Sequence, residues 1–177
     1  MSLKEKYELA KNLKEEGNKL FSNNLFSQAI EFYLKGIKEI ENITDLEQSN
    51  EVKKLLSILY LNISTCYFKN KDFKNSNLYV DLCLNYDPES IKALYRKAMI
   101  LKEEKEYEES IKLLKRVLAI DPGNQAAKDS LMQIKETLLK EDKENKDLGS
   151  LLTKISTQEF DGNKTRLVNL SIRIDFF

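Results

Sequence analysis

Apolar residues return along this chain at helical spacing, in blocks that repeat. Its two prolines, in Asp87-Pro88 and Asp121-Pro122, lie 34 residues apart, and the same landmarks precede each one. Phe73 and Tyr107 stand at minus 15, Ser76 and Ser110 at minus 12, Val80 and Leu114 at minus 8, Cys83 and Val117 at minus 5. An upstream block keeps the same offsets: Gly17, Leu20, Phe26, Ala29, Tyr33 and Gly36 stand where the second block has Ser64, Tyr67, Phe73, Ser76, Val80 and Cys83. Each block predicts a pair of antiparallel helices in which small residues let the partners approach and large ones fill the groove to the next pair. With five Gly and two Pro in 177 residues, the chain reads as mostly helical.

The period predicts repeats at about 10–43, 57–90 and 91–124. The first departs from the others, with Glu41 in the proline position and 13 further residues (44–56, TDLEQSNEVKKLL) before the second. That insertion has no Gly or Pro, so the expectation is that the flanking helices extend around a short turn near Asp45–Asn50. After the third block, Ala127, Leu131, Ile134 and Leu138 share one helical face, which predicts a capping helix over about 125–143 and a domain spanning 1–143. The run KEDKENKD (140–147) reads as a solvated end or linker, and 144–177 as a linker and a disordered or loosely packed tail. Within it Leu170, Ile172, Ile174 and Phe176 alternate with polar residues, a strand pattern with no partner strand elsewhere in the sequence. Docking of that face on the helical body, or strand addition to another protein, is the less favoured reading.

Composition narrows the chemistry. There are 29 Lys+Arg against 29 Asp+Glu, and no His or Trp. Without imidazole there is no His-paired nucleophile, His metal ligand or histidine proton shuttle. The balanced charge argues against nucleic-acid binding through a broad cationic surface, and Cys66 and Cys83 alone cannot form a four-ligand metal site. No run approaches the length of a signal peptide core or of a membrane span. The expectations are a cytoplasmic, monomeric protein with reduced, buried thiols, no metal and no cofactor.

A 34-residue period with small residues at positions 8, 20 and 27, an aromatic residue at 17, a large apolar one at 24 and proline at 32 resembles the tetratricopeptide repeat (TPR). The resemblance implies an all-α fold, a right-handed superhelix of three helix pairs plus a C-terminal capping helix, whose concave side is lined by the first helix of each pair. Lys14 and Asn18 from the first repeat, Asn62 from the second, and Lys92 and Arg96 from the third would then converge on one groove. None of these five is an acid, and the balancing carboxylates are expected on outer faces.

Lys-x-x-x-Asn, then Asn, then Lys-x-x-x-Arg resembles the two-carboxylate clamp of co-chaperone TPR domains. The phrases LNISTCYFK and GNQAAKDSL look most like the C-terminal domains of FK506-binding immunophilins. The resemblance implies binding of the free C-terminus, Glu-Glu-Val-Asp, of heat-shock protein 90, heat-shock protein 70 or both. Lys14, Asn18 and Asn62 would take the terminal main-chain carboxylate, Lys92 the Asp side chain, and Arg96 that side chain or the peptide backbone upstream. Thr65 and Phe68 are candidates for a peptide side-chain pocket, with the bulk of Phe68 narrowing the space for the ligand's Val. No room for an isomerase domain is left ahead of residue 10, so the expectation is binding without catalysis. The alternatives are a generic TPR scaffold for another protein segment, or the TPR part of a truncated peptidyl-prolyl isomerase.

Overall fold

The structure, a computed structural model, describes residues 1–41 and 50–156, with side chains as far as residue 146. Among the described residues there are seven α-helices and no strand: α1 (Leu3–Ser22), α2 (Phe26–Glu41), α3 (Asn50–Lys69), α4 (Phe73–Tyr86), α5 (Ile91–Glu103), α6 (Tyr107–Ile120) and α7 (Gln125–Ser156). The fold is all-α, as the periodicity predicts. Residues 42–49, with most of the expected turn near Asp45–Asn50, and the alternating segment Leu170–Phe176 lie outside the described residues. The chain divides into two compact units, Met1–Ile134 and Lys135–Phe177.

Within the first unit α1 packs on α2, α3 on α4 and α5 on α6, while α2 meets α3 and α4 meets α5 between successive pairs. The small residues of the repeat explain the close approach inside each pair. Gly17 of α1 lies against the ring of Tyr33 of α2. In the second pair, Ser64 and Ser76 exchange reciprocal bonds, each hydroxyl donating to the other residue's backbone carbonyl at 2.8 and 2.9 Å. In the third, the Ser110 hydroxyl donates to the Ala98 carbonyl at 2.8 Å. Buried serines at these sites are therefore satisfied, which a small apolar position does not otherwise guarantee.

The three turns inside the pairs share one geometry. Asn24, Lys71 and Lys105 hold the left-handed conformation, with φ of 61°, 59° and 63°. The following N–H groups, of Leu25, Asp72 and Glu106, donate back to the carbonyls of Leu20, Tyr67 and Leu101 at 3.0, 3.0 and 2.8 Å. The N–H groups of Asn24, Lys71 and Lys105 themselves donate to the carbonyls of Phe21, Phe68 and Lys102 at 2.9, 3.0 and 3.1 Å. These paired bonds are Schellman closures, which satisfy helix-end carbonyls and reverse the chain.

Among the described residues the largest core cluster lies between α1, α2 and α3 and includes Tyr33, Ile40, Leu56, Leu59, Ile63 and Cys66. Both cysteines are buried and unbridged, and burial pushes the Cys66 thiol up to about 12. On α7, Ala127 and Ile134 are fully buried against Leu94, Ala98, Leu114 and Val117, with Leu131 packed alongside. The Tyr95 hydroxyl meets that of Ser130 at 3.1 Å, and Lys102 Nζ donates to Gln133 Oε1 at 2.7 Å.

Two features of this region go beyond what the periodicity predicts. Leu138, assigned to the same face as Ala127 and Ile134, is 40% exposed. The residues read as a linker from 140 and a loose tail from 144 are helical as far as Ser156. They are rich in Lys, Glu and Leu and free of proline, and Lys146 pairs with Asp142 one turn earlier at 2.6 Å. High charge signals solvation, which a helix tolerates; it does not signal a break.

Candidate functional site

Lys14 and Asn18 stand four residues apart on α1, hence on one face. Asn18 is the junction of the site. Its Oδ1 accepts from the Tyr33 hydroxyl of α2 at 2.9 Å and from Asn62 Nδ2 of α3 at 3.2 Å. Two donors on one oxygen fix the amide orientation, so that Asn18 Nδ2 is presented as a donor. The Tyr33 side chain is 1% exposed, and burial foremost raises its hydroxyl above the usual range, keeping it protonated as a donor. Asn18, Phe21, Tyr33, Asn62 and Thr65 line a small cleft of about 80 Å³. The Thr65 hydroxyl donates to the Leu61 carbonyl one turn back at 2.8 Å.

The α5 side is prepared differently. The Arg96 guanidinium lies over the ring of Phe68 of α3, 4.5 Å from its centroid, and Phe68 in turn meets Phe73 edge-on at 5.5 Å. Arg96 Nε is buried without a hydrogen-bond partner. Desolvation lowers the Arg96 pKa from its ordinary value, although guanidinium stays charged at any physiological pH. Lys92, one turn earlier, is exposed and forms no ion pair or hydrogen bond among the described residues. Lys97, next to Arg96 on the chain, instead pairs with Asp81 of α4. Thus α1 and α3 are joined through Asn18 and Asn62, and α3 and α5 through Phe68 and Arg96.

Residues 91–124 match the family model of the tetratricopeptide repeat. The chain carries a TPR domain. Over 122 residues, 69% of its length, it is 32% identical to protein unc-45 homolog B of Xenopus tropicalis, and it spans 12% of that relative's length. Its fold matches the C-terminal TPR-containing domain of a Plasmodium falciparum FK506-binding protein with a TM-score of 0.70, at 27% identity, over 81% of this chain and 97% of that one. It also matches the first TPR of Spaghetti (RPAP3), solved bound to the HSP90 peptide SRMEEVD. That match has a TM-score of 0.63 and 26% identity, over 75% of this chain and 95% of that one.

Within this TPR domain the expectation of a groove free of acids needs correction. Glu15 Oε1 lies 2.9 Å from Lys14 Nζ, and Glu15 Oε2 accepts from Asn18 Nδ2 at 3.2 Å. One carboxylate therefore satisfies both α1 donors. Hydrogen bonds from Lys14 and Asn18, with the Lys14 charge, hold the Glu15 carboxyl below its usual pKa. The three-residue spacing of Glu15 and Asn18 in LKEEGN signals their bond, whereas the contact of Glu15 with the adjacent Lys14 is not one that helical spacing reveals. Tyr33 was legible only as a core residue, because nothing in its spacing reveals where the hydroxyl ends. Of the two pocket candidates, Thr65 lines the cleft, while Phe68 underlies Arg96.

Two other chemistries can be addressed among the described residues. No group of three or more His, Cys, Asp or Glu could hold a metal ion. No helix is long and apolar enough to cross a membrane.

Proposed function

We propose that this TPR domain is a non-catalytic co-chaperone module. It binds the free C-terminus, Glu-Glu-Val-Asp, of cytosolic heat-shock protein 90 or heat-shock protein 70 through Lys14, Asn18, Asn62, Lys92 and Arg96. The observation that carries the reading is the junction at Asn18, which joins α2 and α3 and leaves its Nδ2, with Lys14 Nζ, as a donor pair sized for one carboxylate. That Glu15 sits on this pair supports the sizing, because it is itself a carboxylate. On α5, unpaired Lys92 and the buried, partnerless Nε of Arg96 supply the second half. The likeness to Spaghetti bound to SRMEEVD supports the same ligand class.

A C-terminal Asp carries two carboxylates on one residue, and each needs several donors once water is partly excluded. Amides supply donors without adding charge, and Lys and Arg supply the compensating cations. Each charge-assisted bond is worth about 1.5–3 kcal/mol before ordering costs, so three or four reach the ~8 kcal/mol of a micromolar complex.

Calorimetric titration with SRMEEVD, free and amidated at its C-terminus, tests the reading. The free acid should bind with micromolar affinity and the amide at least tenfold more weakly, and Lys92→Glu or Arg96→Ala should weaken the free acid by a similar factor. Equal affinity for the two peptides, or indifference to both substitutions, would sink it.

A further inference from the structure

Arg96 is the one member of the candidate clamp held by an aromatic ring. A bare arginine on a helix samples many rotamers, and ordering it on a ligand opposes binding. Here the guanidinium carbon lies over the ring, 4.5 Å from the Phe68 centroid, within the range of a favourable cation–ring interaction. Phe68 is itself fixed, because Phe73 meets it edge-on at 5.5 Å and both rings pack against buried Val80, Cys83, Ala93 and Ile100. The stack spans two helices, α3 and α5, so the arginine's position is set by the core and not by its own helix alone.

The orphan Nε is the second observation. A buried donor without a partner is uncommon and calls for an explanation. Stacking compensates part of the lost hydration of the cation, yet it offers no acceptor to Nε–H. The stack thus leaves a desolvated cation with an unused donor, an arrangement whose electrostatic reward appears when an anion or carbonyl oxygen arrives.

We propose that Phe68 is a positioning residue for ligand binding, holding Arg96 desolvated and in its binding orientation before the peptide's acidic or backbone oxygen reaches it. The inference rests on the carboxylate-clamp reading above and deepens it: Phe68 acts on the ligand through Arg96 and not by lining the peptide side-chain pocket. An aromatic ring at this position tunes affinity without touching the peptide.

The test is a double-mutant cycle on the full chain with SRMEEVD as probe. Phe68→Leu, which keeps apolar bulk, should weaken binding of the free-acid peptide about three- to tenfold, whereas in an Arg96→Ala background it should add less than a twofold change. Phe68→Tyr, which keeps the ring, should restore affinity to within about twofold of the parent. By NMR, the Arg96 Nε–H and side-chain methylene protons should sit upfield through the ring current in the parent and in Phe68→Tyr, and move downfield in Phe68→Leu.

A purely structural role would lower the melting temperature while leaving the effects of Phe68→Leu and Arg96→Ala on binding additive. That additive outcome, unchanged affinity in Phe68→Leu, or absence of the ring-current shift would each overturn the proposal while leaving the clamp intact. If the parent protein binds free and amidated SRMEEVD equally, the clamp reading itself falls and this inference falls with it.

Discussion

Gly17 of α1 and Tyr33 of α2 are matched so closely that a β-carbon on Gly17 would come within 2.5 Å of the Tyr33 ring. The ring is almost fully buried and has to shift to admit the added carbon. Gly17→Ala gains roughly 1 kcal/mol of intrinsic helix propensity, but the forced displacement of a packed ring costs about 1–3 kcal/mol. The net expectation is a loss of up to about 2 kcal/mol in denaturant unfolding, where propensity alone forecasts a gain. Since Asn18 is the next residue, the same substitution should also weaken binding of a free-acid peptide.

Tyr33→Phe isolates the hydroxyl from the ring. It leaves the packing against Gly17 and removes one of the two donors that orient the Asn18 amide. Loss of a single hydrogen bond of this kind costs about 0.5–1.5 kcal/mol. Stability should fall by that amount in urea titrations, with an unchanged m-value. Peptide affinity should fall severalfold, because the amide can then rotate about its remaining bond to Asn62. A parent-like affinity would mean that Asn62 alone fixes Asn18.

The left-handed turn residues make a prediction independent of any ligand. Lys71 and Lys105 occupy φ near +60°, where a side chain is strained and glycine is not. Lys71→Gly and Lys105→Gly should each raise stability by about 0.5–1 kcal/mol, and together by nearly the sum, since they lie in separate turns. Asn24→Gly should change stability much less, because asparagine tolerates this conformation. Thermal or chemical unfolding of the three single variants and the double variant checks the ranking.

The contrast between Asn24 and the two lysines also shows what the sequence discloses. The 34-residue period, read from Pro88 and Pro122, located the helix pairs, since apolar spacing follows directly from which faces are buried. The shared faces of Lys14 with Asn18 and of Lys92 with Arg96 were legible because a four-residue spacing on a helix determines them. The left-handed turns at Lys71 and Lys105 were not, because tertiary closure imposes a geometry that lysine itself disfavours. Phe68 was a pocket candidate through the family resemblance and its bulk; its place under Arg96 depends on how α3 meets α5, which spacing along one helix does not encode. The helical run from 144 to 156 was obscured by a charge density that reads as a linker.

Glu15 supplies the last prediction. Its carboxylate occupies the donors of Lys14 and Asn18, so a ligand carboxylate gains those contacts only by displacing it. The Glu15 side chain is 58% exposed, and exposed pairs of this kind are weak, about 0–1 kcal/mol, so displacement is readily reversible. Glu15→Gln should therefore tighten binding of the free-acid peptide about two- to fivefold at low salt. The amidated peptide should be unaffected, and the gain should shrink as salt screens the pair. A pH scan alone does not isolate the effect. The depressed Glu15 pKa means that its pairing is present above the ordinary carboxylate range and is lost as pH falls through the lowered value, but the ligand's own carboxylates protonate in the same acidic window. The charge-neutral substitution at constant neutral pH separates the two. Weaker binding by Glu15→Gln would instead mean that Glu15 holds Lys14 and Asn18 in their binding orientation.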